Sequence, residues 1–263
     1  MKKKDWFVSI VAGVILGILA MNLGITKGIV NIPAVRAEDK MGEILNLMLK
    51  SHTTWQTIGG EATTQWFSMK DGSQHGFYSS VVVANPNQAH FTIASDDGSS
   101  NTEWIGDGAT IFEIDRLGKT YQEYKQEDVT SGFDRLPADV ASIDKNIIFR
   151  HPMAMIIPSP VADYIFPTGL AQRQGEYSFV GEAVIANRNA WVVDYLKLND
   201  NNDATMKARY WVDSKTGVIL QAYTYSTEPD SFGTLIESTS FSSISFDLPV
   251  QNDEFTPSLD GLK

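Results

Sequence analysis

The 263-residue chain contains no cysteine. That excludes a disulfide scaffold, a thiol nucleophile, a cysteine zinc site and an N-terminal lipid-modified cysteine. Positive charge is scarce as well: 21 Lys and Arg stand against 32 Asp and Glu, a formal net charge of −11. The first 37 residues hold five Lys/Arg and one acid, a net +4 that leaves −15 for the remainder. A domain this acidic is a poor partner for nucleic acid and is repelled by anionic membrane surfaces. Recognisable chemistry is missing too. The four histidines, His52, His75, His90 and His151, are isolated, none three or four residues from another. There is no Gly-x-Ser-x-Gly elbow and no glycine-rich phosphate loop. Asp96–Asn101 and Asn199–Asp203 offer oxygens to calcium without EF-hand spacing. Asn, Asp and Gly are what hairpin turns require, and that reading is preferred. The sequence therefore names no catalytic residue, no metal ligands and no cofactor, and the expectation is a protein that is not an enzyme. A triad assembled from distant residues stays open, so an enzyme acting on envelope material is kept as a third reading.

What is present begins at the N-terminus. Lys2, Lys3 and Lys4 precede an almost uncharged apolar run, Trp6 to Ile25. Its length suits a helix crossing the roughly 30 Å hydrocarbon core. The lysines place the N-terminus in the cytoplasm and everything after Ile25 outside. A small-residue site, Val35-Arg36-Ala37, precedes Glu38. Two alternatives follow. Either a transmembrane helix anchors an extracytoplasmic protein to the cytoplasmic membrane, or a signal peptide is cut after Ala37 and the product is secreted or periplasmic. The organisation expected is an anchor or signal with a short linker over 1–37, one domain over 38–258 and a polar tail over 259–263. At 43 % apolar and 11 % aromatic residues the domain can bury a core.

Periodicity then sets the fold class. Met41, Ile44, Leu45, Met48, His52 and Trp55 follow a helical spacing, which predicts a helix over 39–55 with Asp39 as its cap. After Gly59-Gly60 the period becomes two. Turn signals at 70–73, 85–87, 96–101, 107–108 and 118–119 divide 61–124 into short strands. The stretch 125–174 holds five of the ten prolines and breaks the pattern. It reads as a packed insertion or as a cover over a cavity, with one helix from Ser159-Pro160 interrupted at Pro167. Longer strands resume near 176–186, 190–198, 205–213, 218–227 and 233–246. Alternation puts Trp191, Val193 and Tyr195 on one face of their strand, and the sequence does not say which face is inside.

Several motifs carry a family resemblance. Val180-Gly181-Glu182-Ala183-Val184-Ile185-Ala186-Asn187-Arg188-Asn189-Ala190-Trp191 is similar to a strand–turn–strand signature of the LolA-type lipoprotein-carrier fold. Trp211-Val212-Asp213-Ser214-Lys215-Thr216-Gly217 resembles its hairpin, Asn252 to Pro257 its closing strand, and Trp104 to Ile114 an upstream hairpin. Asn187 stands where the family has glycine, and Ile219 where its hairpin has proline. The family's lid-holding arginine matches no position. The resemblance implies a mainly β (α+β) protein: one strongly curved antiparallel sheet, an unclosed half-barrel, with helices in its concave face. It implies a non-enzymatic, extracytoplasmic binder or carrier of a hydrophobic ligand in the cell envelope, whose partners are lipid or lipoprotein acyl chains. The alternative is an RseB-like sensory or regulatory ectodomain acting through a membrane-protein partner. The candidate lining residues are Ile44, Leu45, Met48, Trp66, Trp191, Trp211 and Tyr223. The bland reading of each is sheet or helix core.

Overall fold

The computed structural model describes residues 34–126, 128, 130–143, 148–251 and 253–263. The expected membrane helix over 6–25 lies outside them, and among the described residues no helix is long and apolar enough to cross a bilayer. Ala37–Lys263 packs as one compact unit.

Eleven strands form a single antiparallel sheet. They are β1 (Thr57–Phe67), β2 (Gln74–Ala84), β3 (Gln88–Ser95), β4 (Asn101–Gly106), β5 (Thr110–Asp115), β6 (Thr120–Lys125), β7 (Glu176–Ile185), β8 (Arg188–Leu198), β9 (Ala204–Asp213), β10 (Ile219–Tyr225) and β11 (Leu235–Phe246). The spatial order is β6-β5-β4-β3-β2-β1-β11-β10-β9-β8-β7. Two meanders are therefore joined where the first strand pairs with the last, and β6 and β7 are the outer edges. The sheet is curved and unclosed, as the resemblance implied.

That order forces the path of the middle segment. The chain between β6 and β7 leaves one edge strand and must reach the other, and its described residues lie across a face of the sheet. They do so as short pieces: α2 (Thr130–Phe133), 3-10 turns at Val140–Ser142 and Pro152–Met155, α3 (Val161–Ile165) and α4 (Thr168–Ala171). The break between α3 and α4 falls at Phe166-Pro167, where the fixed φ and missing N–H of Pro167 end the first helix. Ser159, expected as the cap of α3, instead donates to Asp163, and Pro160 holds the cap position.

The helix α1 (Ala34–Leu49) starts earlier and stops sooner than its periodicity suggested. Past Leu49 the Thr53 and Thr54 hydroxyls donate to the carbonyls of Lys50 and Ser51, tightening the chain into a 3-10 turn over Ser51–Thr53. Trp55 thus lies beyond the helix, though still buried.

Residues paired across an antiparallel ladder share a face. Tracing register across the sheet puts Tyr177, Trp191, Val193, Tyr195, Tyr210, Ala222, Thr239, Phe241, Thr64, Trp66, Val81 and Phe91 on one side. This is the concave side, against which α1 and the crossing segment pack in one apolar cluster. The convex side of the N-terminal half is covered by the C-terminal residues. Phe255, Val250, Leu259 and Leu262 join Ile105, Ile114, Val82 and Phe112 there, so the last residues are not merely polar. Beneath them His90 bridges Glu254 at 2.9 Å and Glu103 at 2.7 Å, and Arg116 pairs with Glu103 and donates to the Ser258 carbonyl.

The most specific sequence motif is a loop lock. The Asp213 carboxylate, 1 % exposed, accepts from the Lys215 and Thr216 amides, the Thr216 hydroxyl and the Arg188 guanidinium. Burial alone would raise its pKa, but Arg188 and Thr216 together hold it below the usual carboxylate value. Gly217, at φ +75°, lies so close to α1 that a Cβ would stand 2.5 Å from the Leu47 carbonyl oxygen. Gly72, at φ +70°, faces open space.

Two outcomes are expected in urea unfolding. Asp213→Asn leaves Arg188 without its carboxylate and costs about 3 kcal/mol near neutral pH. Because the folded pKa is depressed, that difference is present above the unfolded value near 4 and shrinks as pH falls through the folded pKa. Gly217→Ala costs clearly more than Gly72→Ala, which should cost about 1 kcal/mol through backbone strain alone.

Candidate functional site

The concave face is where an apolar ligand would lie, and it is largely filled by the chain itself. Ile44, Met48 and Leu49 of α1 enter from one side. Met153, Ile156, Ile157, Val161, Ile165, Phe166 and Leu170 of the crossing segment cover the rest. Among the described residues, α1, short helices and turns lie over the sheet, and no second sheet does. Their backbone groups are satisfied within single turns or by side chains such as Gln172, which bonds the Phe149 N–H and C=O and the Thr168 carbonyl. A cover built this way moves in pieces without breaking a ladder of interstrand hydrogen bonds.

The candidate lining residues separate by face. Ile44 and Met48 are fully buried in the concave core. Leu45 is half-buried and borders an open cleft of about 500 Å³ between α1, the turn at 140–143 and the start of β7. Trp191 is on the concave side at its rim, with the Lys40 ammonium 3.8 Å above its ring. Trp66 is concave and half-buried, edge-on to Phe77, and is the register partner of Glu237 across the β1–β11 ladder. Burial pushes the pKa of the Glu237 carboxyl up, only partly opposed by the Trp66 and Tyr164 side chains beside it.

Trp211 and Tyr223 do not belong with these. Register pairs Trp211 with Gln221 and Val192, and Tyr223 with Arg209. Both rings stand on the convex side, 4.8 Å apart and edge-to-face. Period-two reasoning alone does not reveal that side. Register irregularities between Phe179 and Gly181 and between Ile219 and Gln221 interrupt the alternation, so only the pairing fixes it.

One feature of the cover had no signal in the sequence. His52 and His151, 99 positions apart, meet at 4.6 Å between ring centroids. Phe133 stacks on His52, Phe166 stacks on His151 at 4.2 Å, and Trp55 follows at 5.7 Å from Phe166. This column of rings ties the end of α1 to three points of the crossing segment. The His151 Nδ1 accepts from the Met153 amide. Its Nε2 and the His52 Nδ1 are buried and have no hydrogen-bond partner among the described residues. Burial, with His52 adding a smaller effect, drives the His151 pKa down to about 2, and burial lowers that of His52.

The turns weighed as calcium loops are used otherwise. Asn199 accepts from the Asn201 and Asp203 amides, and Asp97 from Ser99. Among the described residues no group of three or more potential metal ligands comes together.

The ring column predicts an acid-sensitive cover. The folded imidazoles are held below the unfolded value near 6.5, so their stability is full above that pH. Below it each costs up to about 1.4 kcal/mol per pH unit. His90 acts oppositely: contact with Glu103 raises its pKa despite burial, so its contribution is full below about 6.5 and fades as pH rises through its folded value. His151→Phe should shrink the fall in the urea midpoint between pH 7.5 and 5.5, while His90→Ala should not.

No protein-family model matches the chain, and no curated protein matches it by sequence. Solved structures do resemble it. The Pseudomonas aeruginosa MucA/MucB complex matches over 85 % of this chain and 62 % of that one, at 16 % identity and a TM-score of 0.46. The Mycobacterium tuberculosis lipoprotein LppX matches over 82 % and 99 %, at 10 % identity and 0.45. LprF from Mycobacterium bovis matches over 82 % and 96 %, at 11 % identity and 0.43. The chain thus spans about three fifths of the length of the MucB chain. At such identities and TM-scores these likenesses carry no argument about ligand or partner. The protein's own architecture is an unclosed eleven-stranded antiparallel sheet with helices packed on its concave face.

Proposed function

We propose that the protein is an extracytoplasmic, non-enzymatic binder or carrier of a hydrophobic ligand, an acyl chain or the lipid of a lipoprotein. The observation that carries this is the cover: an apolar concave sheet closed by α1 and short helical pieces, with a cleft left open beside Leu45. The energetics suit such a ligand. Each methylene moved from water into the trough contributes about 0.8 kcal/mol with no need for a polar contact. Met48 and Met153 add adaptable surface. A ligand that goes deeper than the cleft takes the place of side chains such as Ile44 and Met48, so loading and displacement of the cover are one event.

A second reading has its own observation. The edge strand β7 has a free side, and Val180 and Val184 are exposed on it. Beside it a convex groove of about 580 Å³ is bordered by Asp194, Lys207, Arg209, Tyr225 and Phe232. An RseB-like ectodomain that signals through a membrane-protein partner would use such an edge by strand addition.

Mass spectrometry of lipid co-purifying with the full chain separates the two. Co-purified acyl lipid supports the carrier. A chain free of lipid that forms a stable complex with a membrane protein supports the regulator. Two substitutions sharpen the first reading. Met48→Asp buries a charge and should cost several kcal/mol of stability. Leu45→Asp, at the cleft, should cost at most about 1 kcal/mol and reduce fatty-acid binding. A Leu45→Asp protein that binds fatty acid normally argues against the cleft as the entry.

A further inference from the structure

Among the described residues, the open cleft is bordered by one cation that has no carboxylate at ion-pair distance. Arg173 borders it, half-buried, at the turn between α4 and β7. No carboxylate lies within ion-pair distance of its guanidinium among the described residues, and its side chain instead donates to the Met206 sulfur at 3.4 Å. A thioether is a weak acceptor for a group with five donors. The chain has 32 acidic residues for 21 basic ones, so a half-buried arginine with no described acid beside it runs against its composition. The described side chains bordering the cleft include no acid either: Leu45, Val140, Ile143, Ala171 and Tyr177 are apolar or aromatic, and Gln172 is committed to the backbone.

The turn that carries Arg173 is held in place. The Tyr177 hydroxyl donates to the Leu170 carbonyl, and the Tyr195 hydroxyl donates to the Gln174 carbonyl at 2.8 Å. Gly175, at φ +154°, rests against Tyr195, where a Cβ would come within 2.6 Å of the ring. Two concave-face tyrosines thus fix the backbone on both sides of the arginine. The guanidinium also offsets part of the burial-driven rise in the pKa of Tyr177, Tyr195 and Tyr210, which places it above the concave face of β7–β9.

We propose that Arg173 is a headgroup anchor: the cleft takes an amphiphile with an anionic head, a carboxylate or a phosphate ester, which pairs with the guanidinium while its chain runs along Leu45, Val140 and Ala171. This rests on the apolar-ligand reading above and specifies the polar end of that ligand. The planar fork of arginine matches carboxylate and phosphate oxygens in pairs, and a half-desolvated setting strengthens the contact. The excess negative charge of the domain repels an anionic membrane surface but does not line this cleft, so it selects single lipid molecules over docking on a bilayer.

The test uses the full chain reconstituted in phosphatidylcholine vesicles, with diazirine-bearing probes of one chain length. The probes are a fatty acid, a lysophosphatidate and a neutral monoacylglycerol. Cross-link yield is read on the peptides containing residues 140–143 and 171–177. The wild type should label with an anionic probe, and whichever of the two anionic probes labels more strongly identifies the head. Arg173→Gln should cut that yield about tenfold and leave neutral-probe labelling within about twofold, the loss expected for one charge-assisted contact. Arg173→Lys should recover most of it. Anionic labelling unchanged in Arg173→Gln, with neutral labelling intact, overturns the anchor and leaves the apolar reading standing. Inorganic phosphate that abolishes anionic labelling and spares the neutral probe would show a site for a free anion, which also overturns it. A wild type that no probe labels contradicts the apolar reading itself, and the anchor falls with it.

Discussion

Everything about this protein's interior follows from the pairing of its first strand with its last. Once β1 lies against β11, the two meanders extend outward and end in β6 and β7 on opposite edges. The chain between those edges must then traverse the sheet, and the concave face is where burial of apolar surface rewards it. The same residues that complete the topology therefore also occupy the trough. Together with α1, that segment is at once core and cover of the concave face.

The cover is held by few, identifiable contacts. The hairpin Asp213–Gly217 presses on α1 at Leu47, the Thr54 hydroxyl reaches the Thr216 carbonyl, and the His52–His151 column joins α1's end to the crossing segment. The Thr168 hydroxyl reaches back to the Leu49 carbonyl. None of these is a ladder of interstrand bonds, whereas the sheet beneath is held by one throughout.

Much of the frame was legible from residues alone. The turn chemistry at Lys70–Ser73, Asn85–Asn87 and Asp213–Gly217 marked the strands, and the interruption at Pro167 marked the helix break. The Trp211–Gly217 motif proved to be a capped loop whose Asp213 reaches Arg188 of the Val180–Trp191 motif, a contact between two segments that the pattern alone did not join. Harder features depend on tertiary contact. Alternation grouped Trp191, Val193 and Tyr195 without saying that they face inward. Irregularities in β7 and β10 break the alternation, and only the pairing of β8, β9 and β10 puts Trp211 and Tyr223 outside. The C-terminal residues looked polar because the apolar ones, such as Val250, Phe255, Leu259 and Leu262, are spaced singly and meet an apolar surface only in the fold. His52 meets His151, and Arg173 meets the cleft, only after the chain has crossed the sheet. No local period encodes either.

The central claim, that ligand and cover compete for the concave face, is tested by distance. The chain has no cysteine, so Glu43→Cys on α1 and Lys70→Cys on the β1–β2 turn, both exposed, take spin labels cleanly. Double electron–electron resonance without and with saturating fatty acid then reads the position of α1 relative to the sheet. The account predicts one narrow distance in the empty protein and a shifted or clearly broadened distribution in the loaded one. An unchanged narrow distance in a protein shown to have bound ligand would contradict it.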